Sequence, residues 1–75
     1  MTNTQNNKIL THLQMFGYIT PMIALDLYGC FRLSARIYNL RKAGYIIETD
    51  IVHKDGKQWA KYIYRGHENE QTGNA

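Results

Sequence analysis

The chain of 75 residues contains a single cysteine, Cys30, and a single proline, Pro21. One thiol can close no internal disulfide, which fits a reducing cytosol and reads Cys30 as a packed or turn residue. No apolar run is longer than Met22 to Leu25, far short of the roughly 20 residues that cross a bilayer. The opening MTNTQNNK also lacks the oily core of a secretory signal. These features predict a soluble, cytoplasmic protein with no membrane partner. His12, His53 and His67 are scattered, with no HxxxH or CxxC spacing, so no metal is expected. Gly56-Lys57 lacks the glycines of a phosphate-cradling loop, and no His and Asp stand at a spacing that would activate Ser34. A domain this small hides only about 60% of the surface its unfolded chain exposes, which leaves no room for a deep catalytic cleft. Neither an enzyme nor a cofactor is predicted, and His12 is expected on the surface of its helix.

Acidic side chains are missing from the middle of the chain, where none lies between Asp26 and Glu48. Residues 1–65 carry all nine Lys and Arg against Asp26, Glu48, Asp50 and Asp55, a surplus of five positive charges. Residues 66–75 add Glu68 and Glu70 and no cation. A field concentrated this way points to a polyanion as partner, although charge runs by themselves more often mark a solvated surface.

What is present falls into a clear order. From Thr4 to Phe16 the apolar residues Ile9, Leu10, Leu13 and Phe16 recur at helical spacing, and Gly17 stops the run. Tyr18 and Ile19 form a short extended stretch before Thr20-Pro21, where a capping hydroxyl and a proline at the first position start a second helix. That helix reaches Tyr28, with Ile23, Ala24, Leu27 and Tyr28 on one side, and ends at Gly29. The third, RLSARIYNLRKAG, follows at once. After Gly44 the composition changes: Tyr45 to Val52 and Trp59 to Tyr64 are rich in β-branched and aromatic residues, and Asp55-Gly56 between them signals a tight hairpin. The last ten residues lack aliphatic and aromatic side chains and predict a polar, frayed tail beyond a domain of residues 1–65. Three helices, a short strand between the first two, and a closing hairpin give an α+β winged helix-turn-helix order.

The third helix carries the candidate site. Leu33, Ile37 and Leu40 form one apolar stripe, so Ala35, Asn39 and Lys42 point the other way with Arg32 and Tyr38 beside them. Arg32, Tyr38, Asn39 and Lys42 can donate hydrogen bonds, and Ala35 is small enough to let a helix approach base edges closely. Arg36 lies on the margin of the stripe and either contacts nucleic acid or braces the fold by pairing with Asp26 or Glu48. Lys54 and Lys57 near the hairpin tip and Lys61 on its return strand would add phosphate contacts.

The stretch ITPMIALDLYGCFRLSARIYNLRKAGYIIET resembles the small helix-turn-helix proteins common in phages and prophages of bacteria, over roughly residues 7–65. More distantly, Ser34, Ile37, Leu40, Gly44 and Ile46 match the spacing of bacterial winged-helix repressors. The resemblance implies a transcription regulator in the cytoplasm of a host bacterium, binding double-stranded DNA, with homodimerisation as an option. It places phosphate or base contacts on Arg32, Ser34, Ala35 and Asn39, with Tyr38 and Lys42 toward the backbone. Tyr38, four residues after Ser34, together with Trp59 is also partly similar to winged domains that bind Z-form nucleic acid, but their asparagine falls on Ser34 and their wing prolines are absent. The remaining aromatics, Tyr18, Tyr45, Tyr62 and Tyr64, and Trp59 with them, are expected to pack the hairpin against the helices. The alternative function is a phage-encoded inhibitor or adaptor that binds a host protein complex on the same scaffold.

Overall fold

In a computed structural model the described residues are 4–68, and they form α1 (Thr4–Phe16), β1 (Tyr18–Ile19), α2 (Pro21–Tyr28), α3 (Leu33–Lys42), β2 (Tyr45–Lys54) and β3 (Lys57–His67). The strands make one antiparallel sheet in the order β1-β3-β2. This is the expected succession of three helices and a hairpin. The local signals act as read: the Thr20 hydroxyl accepts from the Ile23 N–H at 3.3 Å with Pro21 opening α2, and α2 ends where the N–H groups of Gly29 and Cys30 return to Leu25 and Ala24. Asp55 and Gly56 both take positive φ, at 52° and 77°. Such paired left-handed residues match a two-residue turn to the twist of the strands it joins.

The helices cover one face of the sheet. Leu33, Ile37 and Leu40 of α3 pack with Ile9 and Leu13 of α1, Ala24 of α2, Cys30, Ile19 of β1 and Ile47 of β2 in a single core, flanked by Tyr45, Tyr62 and Tyr64. Cys30 is thus a core residue, as its apolar, thiol-weak character allows. Only the base of the hairpin takes part. From Ile47 to Lys54 the strand carries the wing tip roughly 20 Å beyond the core, within a molecule whose longest extent is 42 Å.

Three expectations change. β3 runs to His67, past the expected end at Tyr64 and into the segment read as a tail, because the turn after α3 holds it. His67 Nε2 donates to the Ala43 carbonyl at 3.0 Å, its ring meets the Tyr45 ring edge-on, and the Glu68 N–H reaches the Gly44 carbonyl at 2.9 Å. Gly44 (φ +102°) is required there, since a Cβ would lie 2.9 Å from the His67 ring. The rest of the expected tail, residues 69–75, lies outside the described residues. A bulge between Ile46 and Ile47 passes over Arg65, which then grips Glu48 at 2.9 Å.

The stripe of α1 is also rotated. His12, expected on the surface, is only 5% exposed, while Phe16 is 60% exposed. His12 sits between Phe16, with ring centroids 4.6 Å apart, and Tyr28, whose hydroxyl is 2.8 Å from Nδ1. A polar ring can occupy this place because Tyr28 satisfies it, and Phe16 serves as its cover. Leu27 of α2, expected to face inward, is likewise exposed.

Burial holds the His12 imidazole below its ordinary pKa of 6.5. The unfolded chain therefore takes up a proton near pH 6.5 before the folded one does, and stability is whole above that pH and declines as the pH falls below it. The loss of thermal stability between pH 7 and pH 5 is expected to be smaller in His12→Gln than in the parent, measured by circular dichroism melts. Tyr28→Phe, which strips the ring of its partner, is expected to cost about 1 kcal/mol at pH 7.

Candidate nucleic-acid interface

The anchoring of α3 decides what it offers to solvent. With Leu33, Ile37 and Leu40 buried, Arg32, Ser34, Tyr38 and Lys42 are exposed, and Ala35, Arg36 and Asn39 are half-buried. Arg32 stands at the N-cap position and makes no capping bond with its side chain. The Lys42 ammonium lies 5.5 Å from the Tyr38 ring centroid, a weak cation–π contact that pre-arranges the two on the outer surface. No acidic residue occurs in the helix. Its outer face therefore presents guanidinium, phenol, amide and ammonium groups around the small Ala35.

The two edges of the apolar stripe behave differently. Arg36 and Arg41 lie about 70° to either side of it at 100° per residue. Arg41 turns to the sheet: its guanidinium donates twice to the Ile47 carbonyl, at 3.0 and 2.6 Å, and once to Thr49 Oγ1 at 2.8 Å. Arg36 pairs with neither Asp26 nor Glu48, since Glu48 is held by Arg65, and its buried Nε has no hydrogen-bond partner. The bracing role considered for Arg36 thus falls to Arg41. The signal was present, a cation in the last turn four residues before a strand, but the stripe alone does not say which edge adjoins the sheet.

The register sorts the wing. Ile47, Thr49, Ile51 and His53 stand opposite Tyr64, Tyr62, Ala60 and Gln58 on the helix-packed side. Period-2 alternation puts Glu48, Asp50, Val52 and Lys54, opposite Ile63, Lys61, Trp59 and Lys57, on the far side. Lys54 and Lys57 face each other directly at the tip, and like charges so placed repel. Lys61 lies inward of them, its ammonium 4.7 Å from the Tyr18 ring centroid. Of the aromatics, Tyr45, Tyr62 and Tyr64 pack on the core as expected, whereas Tyr18 and Trp59 belong to the far side. Among the described residues Tyr38 and Trp59 make no ring contact with each other.

Three helices, a short strand between the first two and a closing hairpin agree with the comparison against known families. A model of the winged helix-turn-helix domain matches residues 4–64. The chain belongs to the winged helix-turn-helix family. Comparisons with curated proteins and with solved structures return no match. In this winged helix-turn-helix domain the described residues hold no cluster of His, Cys, Asp or Glu able to bind a metal, and no helix long and apolar enough to cross a membrane. Family membership points to DNA as the partner, and α3 and the wing are the elements through which such a domain would meet it.

Arg41 fixes the angle between helix and wing, so its loss is expected to cost stability. Arg41→Ala should lower the unfolding free energy by roughly 1–3 kcal/mol, and Thr49→Val, which removes one of its three bonds, by less. Urea titrations of the two variants against the parent measure both.

Proposed function

We propose that this protein is a DNA-binding transcription regulator of phage or prophage origin, acting in the bacterial cytoplasm by binding rather than catalysis. The observation that carries the reading is the outer face of α3, anchored from behind by Leu33, Ile37 and Leu40 and free of carboxylates. In this reading α3 enters the major groove. Arg32 and Asn39 read base edges, since a guanidinium can grip guanine and an amide adenine, each worth about 1–3 kcal/mol of discrimination. Ser34 and Ala35 lie near the entering end and permit close approach. Tyr38 and Lys42 lie against phosphates, and Arg36 lends charge from the margin.

The wing tip supports the same reading. Two lysines opposed across a hairpin repel each other, and a phosphate between Lys54 and Lys57 converts that repulsion into attraction. Lys61, held over Tyr18 further down the strand, contributes long-range field rather than a tip contact.

Fluorescence anisotropy on labelled duplexes tests the proposal. Specific duplex is to be selected from a randomised pool, and a scrambled duplex of the same composition serves as reference. Arg32→Ala is expected to reduce the ratio of specific to scrambled affinity about tenfold. Lys54→Ala is expected to weaken both alike and to lower the slope of log affinity against log salt by about one. No binding to duplex at low salt, or salt slopes unchanged by every wing and α3 substitution, would overturn the reading.

A further inference from the structure

The far side of the sheet holds a feature of which the duplex reading draws on the lysines alone. A groove of about 630 Å³ opens there, lined by Tyr18, Thr20, Met22, Ile23, Val52, Lys57, Trp59 and Lys61. Its origin lies in the shortness of β1. Tyr18 and Ile19 pair with Ile63 and Tyr62, and then Thr20-Pro21 turns the chain off the sheet into α2. The line that β1 would have followed is left open along Lys57 to Ala60, beyond extended Thr20, which stands next to Lys61, with Met22 and Ile23 as its outer wall.

The open edge has main-chain groups to offer. The Tyr64 N–H donates to the Gly17 carbonyl at 2.9 Å, which sets the even residues of this part of β3 with their main-chain groups toward the β1 side. By the same alternation the N–H and C=O groups of Gln58 and Ala60 face the open edge, and among the described residues no main-chain group meets them. Side chains supply the rest. Lys57, Trp59 and Lys61 follow one another on the groove face, two cations around an indole that is 37% exposed, and Met22 beside them is 67% exposed. Asp50 stands across β2 from Lys61, yet the Lys61 ammonium lies over the Tyr18 ring. No carboxylate lines the groove.

We propose that this edge binds an extended acidic segment of another protein, which adds to β3 as an antiparallel strand in the place β1 leaves vacant. The partner's pattern follows from cross-strand pairing: an apolar residue opposite Trp59 and an acid two places after it, opposite Lys57, with the start of the segment beside Thr20 and Lys61. A second copy of this chain paired about Trp59 is disfavoured. In a two-fold antiparallel pairing centred on Trp59, Lys57 of each copy would oppose Lys61 of the other, a like-charge arrangement that keeps sheet edges apart. The proposal does not rest on the DNA-binding reading, with which it shares only Lys57 and Lys61, and α3 takes no part in it.

The probe is a capped heptapeptide of threonines with leucine at its second place and glutamate at its fourth, so that it begins opposite Ala60 and clears Thr20 and Ile19. It is titrated into the full, nitrogen-15-labelled chain and followed by amide chemical shifts. Expected are saturable shifts at Gln58, Ala60 and the Trp59 indole, slowed exchange of the Gln58 and Ala60 amides, and affinity falling about tenfold when the glutamate becomes lysine. Ala60→Pro and Gln58→Pro remove edge-facing N–H groups without touching the β2 ladder and should abolish the shifts, while duplex binding and the dispersion of the spectrum persist. A heptapeptide N-methylated at the two backbone nitrogens facing β3 carries the same test should the proline variants unfold, and it too should fail to bind. Shifts confined to α3, equal binding of the lysine or N-methylated peptides, or perturbation of the groove by a thymidine decamer but not by the heptapeptide would overturn the proposal.

Discussion

Burial of one aliphatic stripe on α3 is the constraint on which the remainder of this structure depends. Leu33, Ile37 and Leu40 supply a third of the nine core residues buried among the described residues. Each such side chain contributes roughly 1.5–3 kcal/mol when fully removed from water, against the few kcal/mol of net stability expected of so small a domain. Ile9 and Leu13 press on that stripe from α1 and Ile47 from β2, so helix and hairpin are fixed by the same few contacts. The orientation of every polar residue on α3 follows from this anchoring. Arg41 then locks the helix to the strand through a backbone carbonyl, an acceptor that no side-chain substitution elsewhere removes.

Most of the fold was legible because its signals are local. Thr20-Pro21, Gly29, Asp55-Gly56 and the i, i+4, i+7 spacing of Leu33, Ile37 and Leu40 each act within a few residues, and the helix and turn positions follow them closely. What was misread depends on contacts distant in sequence. His12 is buried because Tyr28, sixteen residues away, bonds it. β3 outruns its apolar pattern because His67 reaches back 24 residues to Ala43. A hydrophobic pattern registers apolar burial and is blind to a polar ring satisfied by one distant hydroxyl or to a strand extended by one imidazole.

The candidate site was legible to a similar degree and for the same reason. The outer residues of α3 follow from helical periodicity once the inner stripe is known. The roles of Arg36 and Arg41 do not, because they depend on which flank of the helix the sheet occupies. The wing lysines illustrate the other gap: their number and approximate places are plain in the sequence, but the pairing of Lys54 with Lys57 is a matter of register, and Trp59 and Tyr18 leave the core side for the same reason.

The wing is therefore a two-sided element, and its sides are unequal in what they can recognise. Toward the helices it is tied down by Ile47, Tyr62 and Tyr64. On the far side Lys57 stands at the junction of the tip and the groove, opposite Lys54 and two residues from Trp59. A phosphate at the tip and a carboxylate in the groove would draw on the same ammonium, and a charge neutralised by one anion attracts the next less strongly. Occupancy of the sheet edge and of the duplex surface should then be coupled negatively and, by linkage, to the same extent in both directions. Lys54, which lines the tip but not the groove, lies outside that competition, and the two lysines of a single cross-strand pair separate the charge that both ligands share from the charge that only the duplex uses.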